Sequence, residues 1–420
     1  MTDDTMTSDA GVYYDPYDFE IDNDPYPIWR RLREEAPLYY NAKHDFYALS
    51  RFQDVEQGLT DWKTYSSAKG MLLEIIKAVL EYGVELPPGN ILFEDPPVHD
   101  VHRGILSRVF SPKRMLAIEP KVREFCAHTL DPLVGSSGFD FITDLGAQMP
   151  MRTIGMLLGI PDSDQEAIRQ AIDESLALAD GDPPKVPIDA LAHAETLYGE
   201  YIDWRAKNPS DDLMTQMLEA EFEDEHGELR RLTRTEILVY VSNIASAGNE
   251  TTTRLIGWTG KVLAEHPDQL RAVAADRSLV PKVIEEVLRY EAPSPVQARY
   301  VTQDVDWYGE TVPEGSVMLM LNGSANRDDR KFERGDSFDI NRKSDHHLSF
   351  GFGLHFCLGA ALARMEGRVA LDEVLQRWPQ WEVDYPNAVQ ARTSTVRGWT
   401  RLPVRVEGVK VGGEVTLQMP

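Results

Sequence analysis

From Thr233 to His266 the chain contains no proline. Thr233-Arg-Thr-Glu236 opens the stretch as a capping box, in which threonine hydroxyl and glutamate carboxylate each take a backbone N–H that would otherwise be orphaned. At about 1.5 Å per residue, roughly 33 helical residues span about 50 Å. A helix of that length crosses a whole domain, so it must be central and everything else must pack around it.

The flanks supply mostly helices. Asp24–Pro37 is framed by prolines and reads as a short helix, "APLYY" and "DFYALS" as two paired strands, and "RFQDVEQGLTDW" has helical spacing. Met71–Asn90 is apolar but broken by glycines and by Pro87-Pro88, which predicts a long loop with one helical turn at most, of the kind that often serves function. Helical signals run from His99 to about Gly159, interrupted at "SPKRM" and "GSSGFDF". They continue over Ser163–Ala179, Ile188–Lys207, "SLVPKVIEEVLRY" and Leu358–Arg377. "VQARYVTQDVDWYGETVPEGSVMLML" alternates like a small antiparallel sheet, and the C-terminal part returns to short strands. The expected class is mainly α with small antiparallel β-sheets. Residues 1–12 are expected to be a disordered tail, and 13–420 a single domain with no internal boundary.

With 69 acidic side chains against 43 basic, the net charge of −26 repels phosphate backbones and argues against nucleic-acid binding. Met1–Ala10 lacks the basic and apolar parts of a signal peptide, and the richest apolar run, "MLLEIIKAVL", is short and carries Glu74 and Lys77. Two cysteines, Cys126 and Cys357, exclude a disulfide framework and fit a reducing cytoplasm.

Cys126, inside "REFCAHTL", reads as a small buried hydrophobe. Cys357 is different: it sits in "SFGFGLHFCLG" among Gly351, Gly353 and Gly359, immediately before a helix whose free N–H groups favour a thiolate. No base partner stands beside it and no second CxxC completes a zinc site. A single-thiolate metal such as haem iron fits best.

Phe350-x-x-Gly353-x-x-x-Cys357-x-Gly359 resembles the haem-binding signature of the cytochrome P-450 superfamily in its soluble bacterial form. Four more motifs agree in order: the His99-x-x-x-Arg103 pair, "SAGNETT" (Ser246–Thr252) in the long helix, Glu286-x-x-Arg289, and "ANRDD" (Ala325–Asp329). The resemblance implies a P-450 fold with the long helix over haem b (iron protoporphyrin IX). It implies Cys357 as the iron ligand, with Phe350 and Gly359 beside it and His99, Arg103, Arg299 and His355 facing the propionates. Glu250 and Thr251 become the acid–alcohol pair that delivers protons, where Gly248 is expected to loosen the helix backbone. Glu286 and Arg289 become a structural ion pair. Leu73, Ile76, Leu92, Ile244, Ala247, Val296 and Val396 fall at substrate-contact positions, and Met71–Asn90 reads as part of a substrate lid.

The activity implied is a monooxygenase that inserts one atom of O2 into a hydrophobic small molecule by hydroxylation or a related oxidation. Electrons would come from NAD(P)H through a ferredoxin reductase and an iron–sulfur ferredoxin, docking at Arg108, Lys113 and Arg114. A peroxide-dependent haem-thiolate enzyme is one alternative, although such enzymes tend to lack the acid–alcohol pair. A non-catalytic haem or ligand-binding protein is the other, but it would need an output domain. A cytoplasmic monomer without a membrane span is expected. Terpenoid, fatty, steroid-like and small aromatic substrates all stay open.

Overall fold

The computed structural model describes residues 11–110, 112–176, 190–343, 345–393 and 396–406, giving the backbone but not the side chains of 108–109, 112, 114, 116, 175–176 and 190. The central helix runs over Arg234–Glu265. Thr233 caps it with both halves of the capping box: its Oγ1 accepts from the Glu236 N–H at 3.2 Å, while the Glu236 carboxylate accepts from the Thr233 N–H at 2.7 Å. Around it pack the helices Met149–Leu158, Ala190–Lys207 and Ala360–Arg377. The last of these follows the cysteine loop and lies in turn against Pro112–Leu130. The break expected at "SPKRM" falls between Val98–Val109 and Pro112–Leu130, and Pro112 opens the second helix, because a proline is tolerated in the first turn where N–H groups are unpaired anyway.

The sheets are small. The largest has five strands, in the order Leu38–Asn41, Phe46–Leu49, Val317–Met320, Gln297–Val301, Tyr65–Ser66. Its pairings are antiparallel except between Val317–Met320 and Phe46–Leu49, which run parallel. The main hydrophobic core surrounds the central helix, with two smaller clusters on either side of the five-stranded sheet. Val12 is already buried in the N-terminal cluster, so the expected tail ends short of it; residues 1–10 lie outside the described part. The ends expected near Ala179 and Ile188 also lie outside it.

One expected loop is a helix. Leu73–Tyr82 forms three turns, with Leu73, Ile76 and Ala78 buried and Gly83 closing it in the left-handed region at φ +65°. The glycine that reads as a break is the helix's own terminator. Leu73 and Ile76 belong to the N-terminal cluster with Ala298 and Leu319, and the Ala298 N–H donates to the Met71 carbonyl at 2.8 Å. This segment is therefore packed along its inner face, contrary to the expectation of a loosely seated lid.

Candidate active site

Three layers of hydrogen bonds hold the cysteine loop. The innermost is local: the Cys357 N–H donates to the Phe350 carbonyl at 2.8 Å, and Gly351 and Gly353 take φ of +68° and +69°, which a side chain would strain. Next, Asn326 donates from Nδ2 to Ser349 Oγ at 2.8 Å and accepts at Oδ1 from the Leu348 N–H at 2.7 Å, while Ser349 Oγ donates to the Leu288 carbonyl. The outermost layer is the buried Glu286–Arg289 pair, bidentate at 2.7 and 2.8 Å. Arg289 also donates to the carbonyls of Asn326, Gly335 and Ser337, so it pins the segment that leads into the loop. The "ANRDD" turn thus links the helix Val280–Tyr290 to the cysteine.

Cys357 is half-buried. Burial pushes its thiol up, while the Gly359 N–H and the guanidinium groups of Arg103 and Arg364 pull it down toward the thiolate. A side chain at Gly359 would start 4.0 Å from the sulfur, so the glycine leaves the sulfur's flank clear. Phe350 is buried, with the Arg364 guanidinium 4.5 Å from its ring centre.

His99, Arg103, Arg299 and His355 do come together around the loop. The rings of His99 and His355 stand 4.5 Å apart, and Arg103 donates to the Phe356 carbonyl at 2.6 Å. Arg299 is fully buried and donates to the Ala298 carbonyl and the Gln297 side chain. Among the described residues, neither guanidinium reaches a carboxylate within ion-pair distance. Burial lowers Arg299 to about 10, with Asp95 acting in the opposite direction. Burial, then Arg299, His99 and Arg103, push His355 down to about 3. The Nε2 atoms of both His99 and His355 are buried with no hydrogen-bond partner. A buried cationic cluster with two orphaned ring nitrogens, beside a lone cysteine, fits a sulfur-ligated cofactor that carries two carboxylates.

On the central helix Glu250 is buried, and its Oε2 accepts from Arg254 Nη2 at 2.5 Å. Thr251 is half-buried and its hydroxyl donates to the Ala247 carbonyl at 2.8 Å. The helix is continuous through Gly248. Gly248 is there for packing, since a Cβ would come within 2.7 Å of the Ile154 side chain.

Leu92 and Ile244 pack against the main core, and between them Asn243 donates to Asn90 at 2.9 Å. Val296 and Val396 line one cavity of about 30 Å³ with Trp29, Thr393 and Arg397. Of the expected substrate contacts, Leu73 and Ile76 stand apart as buried core residues of the N-terminal cluster.

Sequence reading missed several groups. Asp173, on the helix Asp162–Leu176, is raised to about 7 by burial and then by Glu250, and Arg169 donates to it. Nothing in its amphipathic helix marks it. Glu366 lies nine residues past Cys357, is fully buried, and is raised to about 8 by burial, with Thr153 and Thr252 lowering it. Here a signal existed. Leu362, Met365, Val369 and Ala370 form the apolar stripe of that helix, and Glu366 falls within it.

A long central helix, packed on the helix that follows a cysteine loop ringed by His99, Arg103, Arg299 and His355, is the arrangement of a haem-thiolate enzyme. The family model described as Cytochrome P450 matches residues 192–398. The chain is 41% identical over 404 residues to "Putative cytochrome P450 123" of Mycobacterium tuberculosis, which covers 95% of this chain and 98% of that protein. It is 33% identical over 391 residues to "Cytochrome P450 130" of the same species, covering 91% and 95%. The structure of cytochrome P450 CYP109Q5 from Chondromyces apiculatus superposes with a TM-score of 0.81 at 33% identity, covering 94% of this chain and 99% of that one. The chain belongs to the cytochrome P450 family. It is a monooxygenase whose cofactor is haem b and which uses O2 and a hydrophobic substrate. Among the described residues, no helix is long and apolar enough to cross a membrane.

Proposed function

We propose that the enzyme hydroxylates, or otherwise inserts one oxygen atom into, a hydrophobic small molecule, with electrons from NAD(P)H passing through a ferredoxin reductase and a ferredoxin. The observation that carries this reading is Glu250, a buried carboxylate held by Arg254, next in sequence to Thr251 on the central helix. Such an acid–alcohol pair serves a reaction that must receive protons in a water-poor site.

When bound, haem b supplies O2 binding and reductive activation. Cys357 would hold it through sulfur, with Gly359 N–H, Arg103 and Arg364 favouring the charged form. His99, Arg103, Arg299 and His355 would take the propionates, giving the two orphaned Nε2 atoms their partners. Thr251 Oγ, now donating to the Ala247 carbonyl, can turn to hold a proton at the distal side. Glu250 refills it, and Asp173 across the helix interface titrates close to neutrality. Leu92, Ile244, Ala247, Val296 and Val396 would bound an apolar substrate and keep water out. The ferredoxin would dock through exposed Lys113 with Arg108 and Arg114, whose side chains lie outside the described residues.

Thr251→Ala tests this reading. The holoenzyme should keep its haem, yet release several times more hydrogen peroxide per NAD(P)H oxidised. An unchanged peroxide ratio would make Thr251 an ordinary helix residue and remove the acid–alcohol assignment.

A further inference from the structure

Arg254 is 5% exposed and lies one turn beyond Glu250 on the central helix. Its guanidinium has two ends in use. Nη2 donates to Glu250 Oε2 at 2.5 Å, and Nη1 donates to the carbonyl of Trp399, where the C-terminal loop enters the strand Trp399–Arg401. A guanidinium is planar and rigid, so its two acceptors cannot move independently while both bonds persist.

The loop touches Arg254 along its stem as well. A Cβ placed on Gly398 would come within 2.8 Å of Arg254 Cδ and 2.9 Å of its Cβ, so only a glycine lets the arginine pass beneath. One turn further along the helix, Trp258 Nε1 donates to the Arg397 carbonyl at 2.8 Å. The same loop carries Val396, whose N–H donates to Thr393 Oγ1 at 3.0 Å, and the Arg397 N–H donates to the Pro293 carbonyl at 2.8 Å. Segments 293–297 and 396–399, which carry Val296 and Val396, are thereby tied to each other and then to the central helix.

We propose that Arg254 is a positioning residue that locks Glu250 to the loop 396–399, so that the seating of this loop on the substrate side sets where the proton-delivering carboxylate stands. The inference rests on the reading of Glu250 given above. A purely structural arginine would need only the Trp399 carbonyl and the packing of its stem. This one places a buried, charge-assisted bond on Glu250 itself. On the opposite flank Asp173 meets Glu250 through a side-chain hydrogen bond.

The test uses ferric holoenzyme and two readouts. The first is turnover and hydrogen peroxide per NADPH oxidised, with a surrogate plant ferredoxin and its reductase as donor and no substrate added. Arg254→Met should slow turnover roughly 10-fold and raise the peroxide share. Adding Glu250→Gln to it should change little further, because two residues acting as one unit are not additive. Gly398→Ala presses on the arginine from the loop side while keeping both Arg254 and Glu250 in the chain, and should move both quantities the same way by less.

The second readout does not depend on activity. Amide hydrogen exchange over 397–401 should rise about tenfold in Glu250→Gln, and should not rise further when that change is made in Arg254→Met, since coupling between two sites is reciprocal. If Arg254→Met loses its haem, Arg254→Lys and Gly398→Ala carry the same comparison. Wild-type peroxide ratio in Arg254→Met alongside an altered ratio in Glu250→Gln would overturn the positioning role and leave the acid–alcohol reading standing. Exchange over 397–401 that ignores Glu250→Gln would overturn it as well. An unchanged ratio in both Thr251→Ala and Glu250→Gln would instead remove the reading on which it rests.

Discussion

Cys126 is fully buried on the helix Pro112–Leu130, its Sγ 3.0 Å from the Met149 sulfur, and burial drives its thiol well above the ordinary range. Cys357 also feels burial, but with a backbone N–H and two guanidinium groups opposing it. The difference was legible in the sequence, because glycines and a following helix mark the second cysteine, whereas the first sits inside a glycine-free helical run. Glu366 was half-legible, as a charge inside an apolar stripe. It also yields a pH prediction. Its folded value of about 8 lies above the ordinary carboxyl value, so the folded chain keeps a proton that the unfolded chain releases. Stability from this group is present at low pH and is lost as pH rises toward about 8. Glu366→Gln keeps the shape and removes the titration, so its melting temperature should gain on wild type steadily from about pH 5 to pH 8. A constant difference across that range would show that Glu366 does not hold its proton.

At the scale of elements, the central helix and its cap stand within a residue of where the sequence puts them. The capping box and the absence of proline are local signals that tertiary packing did not override. Thr233→Ala should cost about 1 kcal/mol in chemical denaturation, since the Glu236 N–H loses its partner at a helix start. The helix Leu73–Tyr82 was not legible, because Gly83 and Pro87-Pro88 suggested a loop throughout, although the glycine only ends the helix. Its buried face also reassigns Ile76. Ile76→Ala should cost about 3 kcal/mol by leaving a cavity, while leaving imidazole binding to the haem unchanged in optical titration. A variant of full stability with altered titration would return Ile76 to the substrate site. The meeting of Arg254 with Trp399 and of Glu250 with Asp173 could not be read from sequence at all. These contacts join segments far apart in the chain, and no spacing rule reaches across them.

For the whole molecule, a path of hydrogen bonds runs from the helix Val280–Tyr290 through Arg289, Asn326 and Ser349 to the Cys357 loop, and it predicts that haem retention depends on the Glu286–Arg289 ion pair. Glu286→Gln should leave Arg289 buried beside a neutral amide, cost about 3–5 kcal/mol, and give protein with little haem, read as the ratio of haem to protein absorbance. Full haem content in that variant would show that the loop holds itself. We propose that the sulfur that ligates the haem is that of Cys357. The carbon monoxide difference spectrum of the reduced holoenzyme reads that ligand directly. Cys126→Ala should keep the thiolate-type band and Cys357→His should lose it; a thiolate-type band surviving in Cys357→His, or vanishing in Cys126→Ala, would mean that Cys357 is not the ligand.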